Sequence, residues 1–161
     1  MRRLHQADTE TRLLVKRSFD LIVALIGIIV LSPVMILVAI AIVIESGWPL
    51  LYRAERTGLH GVPFRIIKFR SMRTAKAGNH SHHSGDDDPR ITRVGRSIRK
   101  YKLDELPQLL NVVTGTMSLV GPRPETTEYT ALYTEEEMII FSVRPGITDE
   151  ASIVFADLGS I

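Results

Sequence analysis

The chain has 161 residues, enough for one domain, and it contains no cysteine. Disulfide bonds and thiolate metal sites are therefore excluded. The formal net charge is only +2, but the basic residues are concentrated on the two sides of one long apolar segment. This distribution suits a protein that meets anionic lipid or phosphate groups at a membrane surface.

The apolar segment from Leu21 to Ile44 carries no charged residue. A helix of this length measures about 36 Å, which exceeds the roughly 30 Å of the hydrocarbon core of a bilayer. Pro33 lies in its middle and is expected to kink the helix, because it lacks a backbone N–H and clashes with the carbonyl of Ile29. The hydroxyl of Ser32 can bond a freed carbonyl, which makes a break tolerable in lipid.

Two topologies fit this segment: a kinked helix that spans the membrane, and a re-entrant helix-break-helix that enters one leaflet and returns. Basic residues mark the cytoplasmic side of short flanks, and here both flanks are basic. A spanning helix would place one basic flank on the wrong side, so the flanks favour the re-entrant arrangement. We predict a mobile or surface-lying start over residues 1–15, a re-entrant membrane helix over 16–47 and one domain over 48–161.

Polar and apolar residues alternate over residues 52–72, where Gly58 and Gly61 supply turns, and this pattern predicts a small β-hairpin or short strands. Lys68 and Arg70 lie in this stretch, either on a solvated strand face or against a phosphate or headgroup. Residues 74–88 are rich in small residues, His and Asp. Metal binding is one interpretation of that stretch, but its composition favours a mobile surface loop.

Three short helices are predicted in the second half of the chain. Thr92 is expected to cap the first of them. The second is expected to begin near Leu106, with Asp104 as its N-cap near the positive end of the helix dipole, and to end at Gly115. The third is expected within residues 125–142, with Thr134 as its cap.

Asp104 and Glu105 are adjacent carboxylates that follow a basic stretch. The basic residues of that stretch are Arg93, Arg96, Arg99, Lys100 and Lys102. Two rigid proline-containing turns, at 121–124 and 144–148, each present one arginine. One interpretation is an ordinary capped helix beside a solvated basic helix. The other is an anionic substrate bound beside a carboxylate that reacts with it.

Several segments occur in an order that resembles one family. They are KRSFD at residues 16–20, the Ser32-Pro33 pair, KFRSM at 68–72, DPRITRVG at 88–95, LDELPQ at 103–108, GPRP at 121–124 and RPGIT at 144–148. From about Lys16 to Asp157 the chain is similar to the bacterial sugar transferases, the monotopic phosphoglycosyl transferases. Any one of these motifs is weak evidence, whereas several in this order are strong.

The resemblance implies transfer of a phospho-sugar from a UDP-sugar to a membrane polyprenol phosphate, with release of UMP and with Mg²⁺ as cofactor, at the start of bacterial glycoconjugate synthesis. It implies that Asp104 is the nucleophile of a covalent intermediate, Glu105 the metal-binding carboxylate and Arg123 a phosphate-contacting arginine. Ser32 and Pro33 would form the break in the membrane helix. The expected substrate- and phosphate-binding set also includes Lys68, Arg70, Arg96 and Arg144.

We therefore expect a mainly α-helical chain with a small β-hairpin, in which a re-entrant membrane helix carries a compact α/β catalytic domain lying on the cytoplasmic face of the bacterial inner membrane. The expected partners are a UDP-sugar, a polyprenol phosphate and membrane lipid but no nucleic acid, with a homodimer left open. The family continues for some tens of residues beyond the turn at 144–148, so a short or truncated tail is expected here. The alternative is an inactive or non-enzymatic membrane adaptor that binds anionic lipid or an acidic partner.

Overall fold

The structure is a computed structural model that describes residues 2–73 and 88–149, with side chains from residue 11 onward. The predicted loop at 74–88, apart from Asp88, and the tail beyond Asp149 lie outside the described residues. The helices and strands within them are α1 (Arg2–Ser46), β1 (Leu51–Thr57), β2 (Pro63–Phe69), α2 (Arg93–Lys100), α3 (Gln108–Thr114), β3 (Ser118–Val120), α4 (Thr127–Thr130) and β4 (Gly146–Thr148). Three 3₁₀ segments lie at Leu59–Gly61, Leu103–Glu105 and Glu137–Ser142. The prediction of a helical chain with a small hairpin is confirmed at this level.

Helix α1 is the longest element and runs from Arg2 to Ser46 with Pro33 inside it. Its part from Thr11 to Ser46 is long and apolar enough to cross a membrane, and an 18-residue window within it has a mean hydropathy of 3.1. The predicted break does not interrupt the helix. Ser32 Oγ donates a hydrogen bond to the carbonyl of Ile29 at 2.7 Å. That carbonyl is the one that Pro33 leaves without its N–H partner, so the hydroxyl supports the helix at the proline.

One face of α1 packs against the rest of the chain on both sides of Pro33. The first core contains Ala24, Ile66, Val112 and Met117, and the second contains Val38, Ile42, Phe69 and Ile98. The other faces expose large apolar side chains, such as Ile29, which is 72% exposed, and Leu37, which is 67% exposed. An apolar surface of this extent needs apolar surroundings, which indicates association with a membrane.

Strands β1 and β2 form the predicted hairpin, paired antiparallel from Leu51 opposite Phe69 to Thr57 opposite Pro63. Asn111 of α3 is 3% exposed and binds the free edge of β2. Its Oδ1 accepts from the backbone N–H of Ile67 at 3.0 Å, and its Nδ2 donates to the carbonyl of Arg65 at 2.8 Å. The buried amide of Asn111 thus makes the backbone hydrogen bonds that a neighbouring strand would make, and it fixes β2 against α3.

Strands β3 and β4 form a short parallel pair, with Ser118 opposite Gly146 and Val120 opposite Thr148. The turns that follow β3 and precede β4 lie against each other. A Cβ added to Gly121 would collide with the carbonyl of Arg144, and one added to Gly146 would collide with the backbone of Gly121. Glycine is therefore required at both positions, and the two arginine-bearing turns lie side by side.

The start of α2 is capped from two directions. Thr92 Oγ1 accepts from the backbone N–H of Gly95 at 2.8 Å, which confirms the predicted cap. The carboxylate of Glu45, near the end of α1, accepts from the N–H groups of Arg93 and Val94, both at 2.8 Å. These contacts satisfy N–H groups that a helix start leaves unpaired, and they fasten α2 to α1.

The prediction that Asp104 caps a helix beginning near Leu106 is wrong. Helix α3 begins at Gln108, after Pro107, and Asp104 lies before it in the 3₁₀ segment Leu103–Glu105. Lys102 adopts a left-handed conformation with φ 57°, which reverses the chain before α3 can start. Gly115 ends α3 with φ 87°, as predicted.

The helix predicted within residues 125–142, with Thr134 as its cap, is found as the 3₁₀ segment Glu137–Ser142, and the separate short helix α4 precedes it. A capping pair separates them: Thr134 N–H donates to Glu137 Oε2 at 2.8 Å, and Glu137 N–H donates to Thr134 Oγ1 at 3.4 Å. This reciprocal arrangement starts a new helical turn instead of continuing α4.

Candidate active site

The carboxylate pair lies in the 3₁₀ segment between α2 and α3. Asp104 is 9% exposed, and the side chain of Glu105 is 15% exposed. The left-handed Lys102 before them and the buried Pro107 after them hold this segment in a tight turn. Both carboxyl groups are therefore positioned by backbone geometry and by burial rather than by a helix cap.

Two cations from separate elements converge on Glu105. Lys68 of β2 donates from Nζ to Glu105 Oε1 at 2.7 Å. Arg123, from the turn after β3, places Nη2 3.9 Å from the same oxygen. The structure thus brings together four predicted site residues, Asp104, Glu105, Lys68 and Arg123, from three parts of the sequence.

Their surroundings give the two adjacent carboxyl groups opposite properties. Burial raises the pKa of Asp104 above its usual value, and the neighbouring Glu105 raises it further, against the opposing charges of Lys68 and Arg99. Burial also acts to raise the pKa of Glu105. There, however, the charge and hydrogen bond of Lys68, together with Arg123 and Lys102, outweigh burial and lower it.

The carboxylate pair fits the requirements of a divalent cation such as Mg²⁺. Within residues 11–73 and 88–149, no group of three or more His, Asp or Glu side chains is placed to hold a metal. Magnesium at phosphate-transfer sites uses one or two carboxylates, with substrate phosphates and water as its other ligands. Glu105 is one such carboxylate, and Asp104 lies next to it in the chain with a pKa that burial raises.

Three other predicted phosphate-binding residues lie elsewhere. Arg70 is 6% exposed and donates from Nη2 to the carbonyls of Ser46 at 2.8 Å and Gly47 at 2.5 Å, so it binds the end of α1. Arg144 donates from Nε to the carbonyl of Gly115 at 2.9 Å, at the end of α3. Both arginines hold helix ends, where carbonyls lack intrahelical donors. Arg96 lies exposed on α2.

The KRSFD segment has a structural role that its sequence did not reveal. Arg17 donates to the carbonyl of Val112 at 2.7 Å and to that of Val113 at 3.1 Å, near the end of α3. Asp20 Oδ2 accepts from Lys16 Nζ at 2.9 Å and from Ser118 Oγ at 2.8 Å, and Lys16 Nζ also contacts Ser118 Oγ. The first turns of the apolar helix therefore bind the elements that precede and follow Gly115.

A narrow cleft beside Arg123 was not predicted. Thr57, Arg123, Tyr133 and Phe141 are among the residues that line it. The rings of Tyr133 and Phe141 stack with their centroids 5.8 Å apart. Burial raises the pKa of the Tyr133 hydroxyl, and Glu125 and Glu137 raise it further, so the tyrosine remains neutral. The two rings belong to different segments, so no sequence periodicity related them.

The fold and this site define a class: a membrane-associated protein that places a carboxylate pair among cations, an arrangement suited to an anionic ligand. The chain matches the bacterial sugar transferase family over residues 11–158, and it belongs to that family.

Three curated relatives illustrate the range of this family. The chain is 39% identical over 143 residues to UDP-glucose:undecaprenyl-phosphate glucose-1-phosphate transferase of Escherichia coli (strain K12), covering 87% of this chain and 31% of that protein. It is 41% identical over 143 residues to UDP-N-acetylgalactosamine-undecaprenyl-phosphate N-acetylgalactosaminephosphotransferase of Aeromonas hydrophila, covering 87% of this chain and 34% of that protein. It is 44% identical over 142 residues to the uncharacterized sugar transferase EpsL of Bacillus subtilis (strain 168), covering 88% of this chain and 69% of that protein. The chain thus spans about a third of the length of the first two relatives.

Proposed function

We propose that this chain transfers a phospho-sugar from a UDP-sugar to a membrane polyprenol phosphate and releases UMP, at the start of bacterial glycoconjugate synthesis. The relatives from E. coli and A. hydrophila are named for transfers of this kind, to undecaprenyl phosphate. Their names differ in the sugar, so the sugar used here stays open. The observation that carries the proposal is the pair formed by the buried Asp104 and the partly exposed Glu105, with Lys68 and Arg123 beside Glu105.

Asp104 is the proposed nucleophile. A diphosphate repels an attacking carboxylate, so the site must supply positive charge where the two meet. Arg123 has a side chain 55% exposed beside Glu105, so its guanidinium can bind phosphate oxygens through two N–H groups. Burial leaves the ionised carboxylate of Asp104 weakly solvated, and less water must then be removed before it reaches phosphorus.

The proposed reaction has two displacements. A carboxylate oxygen of Asp104 bonds to the phosphorus that bears the sugar, while the bond from that phosphorus to the UMP oxygen breaks and UMP leaves with the electron pair. An oxygen of the polyprenol phosphate then bonds to the same phosphorus, and the acyl-phosphate bond breaks. The products are the polyprenol diphosphate sugar and the regenerated carboxylate.

Mg²⁺ is the proposed cofactor, with Glu105 as its carboxylate ligand and Asp104 beside it. When bound, it supplies charge that neutralises the diphosphate and the departing UMP. Glu105 is suited to this role because its lowered pKa keeps it ionised at neutral pH.

The aromatic surface beside Arg123, rather than the interior of the narrow cleft, is the proposed position of the nucleoside. The stacked rings of Tyr133 and Phe141 offer an aromatic surface, and nucleobases bind such surfaces by stacking. Arg123 lines this cleft and also lies 3.9 Å from Glu105 Oε1. The guanidinium of Arg123 thus lies between the aromatic rings and the carboxylates. The phosphates of a UDP-sugar, which lie between its uridine and its sugar, would contact this guanidinium.

The proposed topology is re-entrant, with the domain on the cytoplasmic face of the bacterial inner membrane. Both ends of the apolar stretch bind the same domain: Asp20 through Ser118, and Glu45 through the backbone of α2. A spanning helix would place these two carboxylates on opposite sides of a hydrocarbon core about 30 Å thick. Charged contacts at both ends instead support an arrangement in which both ends lie at one face, and the basic flanks support the cytoplasmic face.

The direct test is Mg²⁺-dependent UMP release from a panel of UDP-sugars, with polyprenol phosphate and the purified chain in lipid nanodiscs. Asp104→Asn should lower turnover by at least about 10³-fold, since it removes the nucleophile, and should abolish the phospho-sugar adduct detected by mass spectrometry. The exposed Lys100→Gln serves as the control and should retain turnover. Turnover retained in Asp104→Asn would exclude this nucleophile.

The alternative function is a non-enzymatic membrane adaptor, which the names of the relatives do not favour. An adaptor would release no UMP from any UDP-sugar.

A further inference from the structure

Glu105 Oε1, the proposed metal ligand, already forms an ion pair with Lys68. Lys68 Nζ lies 2.7 Å from it, and the two side chains are only 23% and 15% exposed, so water screens the ion pair weakly. A divalent cation bound at the same oxygen would lie roughly 2.1 Å from it. The ammonium and the metal would then be neighbours in a poorly screened site and would repel each other strongly.

The ammonium group of Lys68 can move away from Glu105 when a metal binds there. Its backbone is fixed by pairing with Tyr52 in the hairpin, while the neighbouring Ile67 is bound by Asn111. The ammonium, however, sits at the end of a flexible four-carbon stem, so it can leave Glu105 without any movement of the strand. Arg123 shares the oxygen only at 3.9 Å and already extends into solvent.

We propose that Lys68 is an exchangeable countercharge: it neutralises Glu105 until a divalent cation takes that carboxylate, and it then contacts the phosphate oxygens of the substrate. This inference rests on the proposed function, because it requires a metal and a diphosphate at the same site. It accounts for both the phosphate-binding role predicted for Lys68 and the carboxylate partner that the structure shows.

If Lys68 is exchanged in this way, its removal should change the affinities for the metal and for the diphosphate in opposite directions. Without its ammonium, a metal has no competitor for Glu105 and binds more tightly. The diphosphate, in contrast, loses a cationic partner and binds more weakly once the metal is present. A lysine that served only to stabilise the fold would not produce this reversal.

The experiment measures two affinities in nanodiscs: Mn²⁺ binding by electron paramagnetic resonance, and UDP binding by calorimetry at saturating Mn²⁺. Lys68→Gln should bind Mn²⁺ about tenfold more tightly and UDP about tenfold more weakly than the wild type, which is the size of effect expected from a single charge-assisted hydrogen bond. Lys100→Gln removes the same charge from an exposed position on α2 and should change each affinity by less than about twofold.

A measurement on the wild type avoids any dependence on how Lys68→Gln folds. Acylation of the Lys68 amine, followed by mass spectrometry, should increase when Mn²⁺ is added and decrease when UDP is added as well. Unchanged reactivity, or Mn²⁺ binding by Lys68→Gln no tighter than by the wild type, would overturn the exchange. In that case UMP release by the wild type would still support the transferase. A wild type that neither binds Mn²⁺ nor releases UMP would overturn both proposals.

Discussion

Asp104 and Glu105 are neighbours with the same functional group, and the surrounding residues give them different properties. Asp104 is buried and has a raised pKa, whereas Glu105 is partly exposed, has Lys68 within hydrogen-bond distance and has a lowered pKa. The pair therefore combines a carboxylate that the fold stabilises in its ionised form with one whose ionisation opposes folding. Such a division is typical of sites where two carboxyl groups serve different purposes.

At the residue scale, Asp104→Asn should make the protein more stable at neutral pH. The folded-state pKa of Asp104 lies above the unfolded value, so wild-type stability falls as the pH rises from the unfolded pKa through the folded pKa. The variant has no titratable group at position 104 and does not lose this stability. Its free energy of unfolding at neutral pH should therefore exceed that of the wild type by roughly 1 kcal/mol. Thermal unfolding from pH 3 to pH 8 measures the effect, and the difference should vanish at the acidic end. A variant less stable than the wild type at pH 8 would contradict the raised pKa.

Tyr133→Ala tests the nucleoside position, also at the residue scale. Removing one of the two stacked rings should raise KM for the UDP-sugar about tenfold and change kcat much less, because stacking holds the substrate before and during the reaction alike. Tyr129→Ala, on the exposed side of α4, is the matched control and should leave KM within about twofold. An unchanged KM in Tyr133→Ala would place the nucleoside elsewhere.

At the element scale, Asn111 joins α3 to the hairpin that carries Lys68. Asn111→Ala leaves the Ile67 N–H and the Arg65 carbonyl without this partner, and it opens a small cavity. The expected cost is about 2–4 kcal/mol in the free energy of unfolding. Thr114→Ala, at an exposed position of the same helix, should cost under about 0.5 kcal/mol. Equal melting temperatures for the two variants would contradict a structural role for Asn111.

The elements that sequence predicted correctly are those specified by local chemistry. Thr92 caps α2 through a contact three residues away, and Gly115 ends α3 because glycine tolerates a positive φ. Prediction failed at Asp104, where the left-handed Lys102 and the position of Pro107 delay α3. Nothing in the sequence marked Lys102 as left-handed, since lysine rarely adopts that conformation and does so here only within the packed turn.

At the scale of the whole molecule, the topology can be tested because the chain has no cysteine of its own. Single cysteines at Val15 and at Trp48, which are 64% and 75% exposed, flank the apolar stretch. In a re-entrant arrangement both should react with a membrane-impermeant maleimide from the cytoplasmic side only. Leu37→Cys is the control and should react only after detergent is added, because lipid covers it. Labelling of residue 15 from the periplasmic side would establish a spanning helix.

The sequence by itself determined the long apolar helix, the hairpin, the family and the adjacent Asp104–Glu105 pair, because these follow from hydropathy, turn residues and the order of motifs. Tertiary structure alone decided which cations serve that site. Lys68 and Arg123 reach Glu105, whereas Arg70 and Arg144 bind the ends of α1 and α3. All four are basic residues near proline or aromatic residues in sequence, and their partners are set by contacts between distant segments. Burial raises the pKa of Asp104, and the contacts of Lys68 lower that of Glu105; both influences exist only once those segments have packed together.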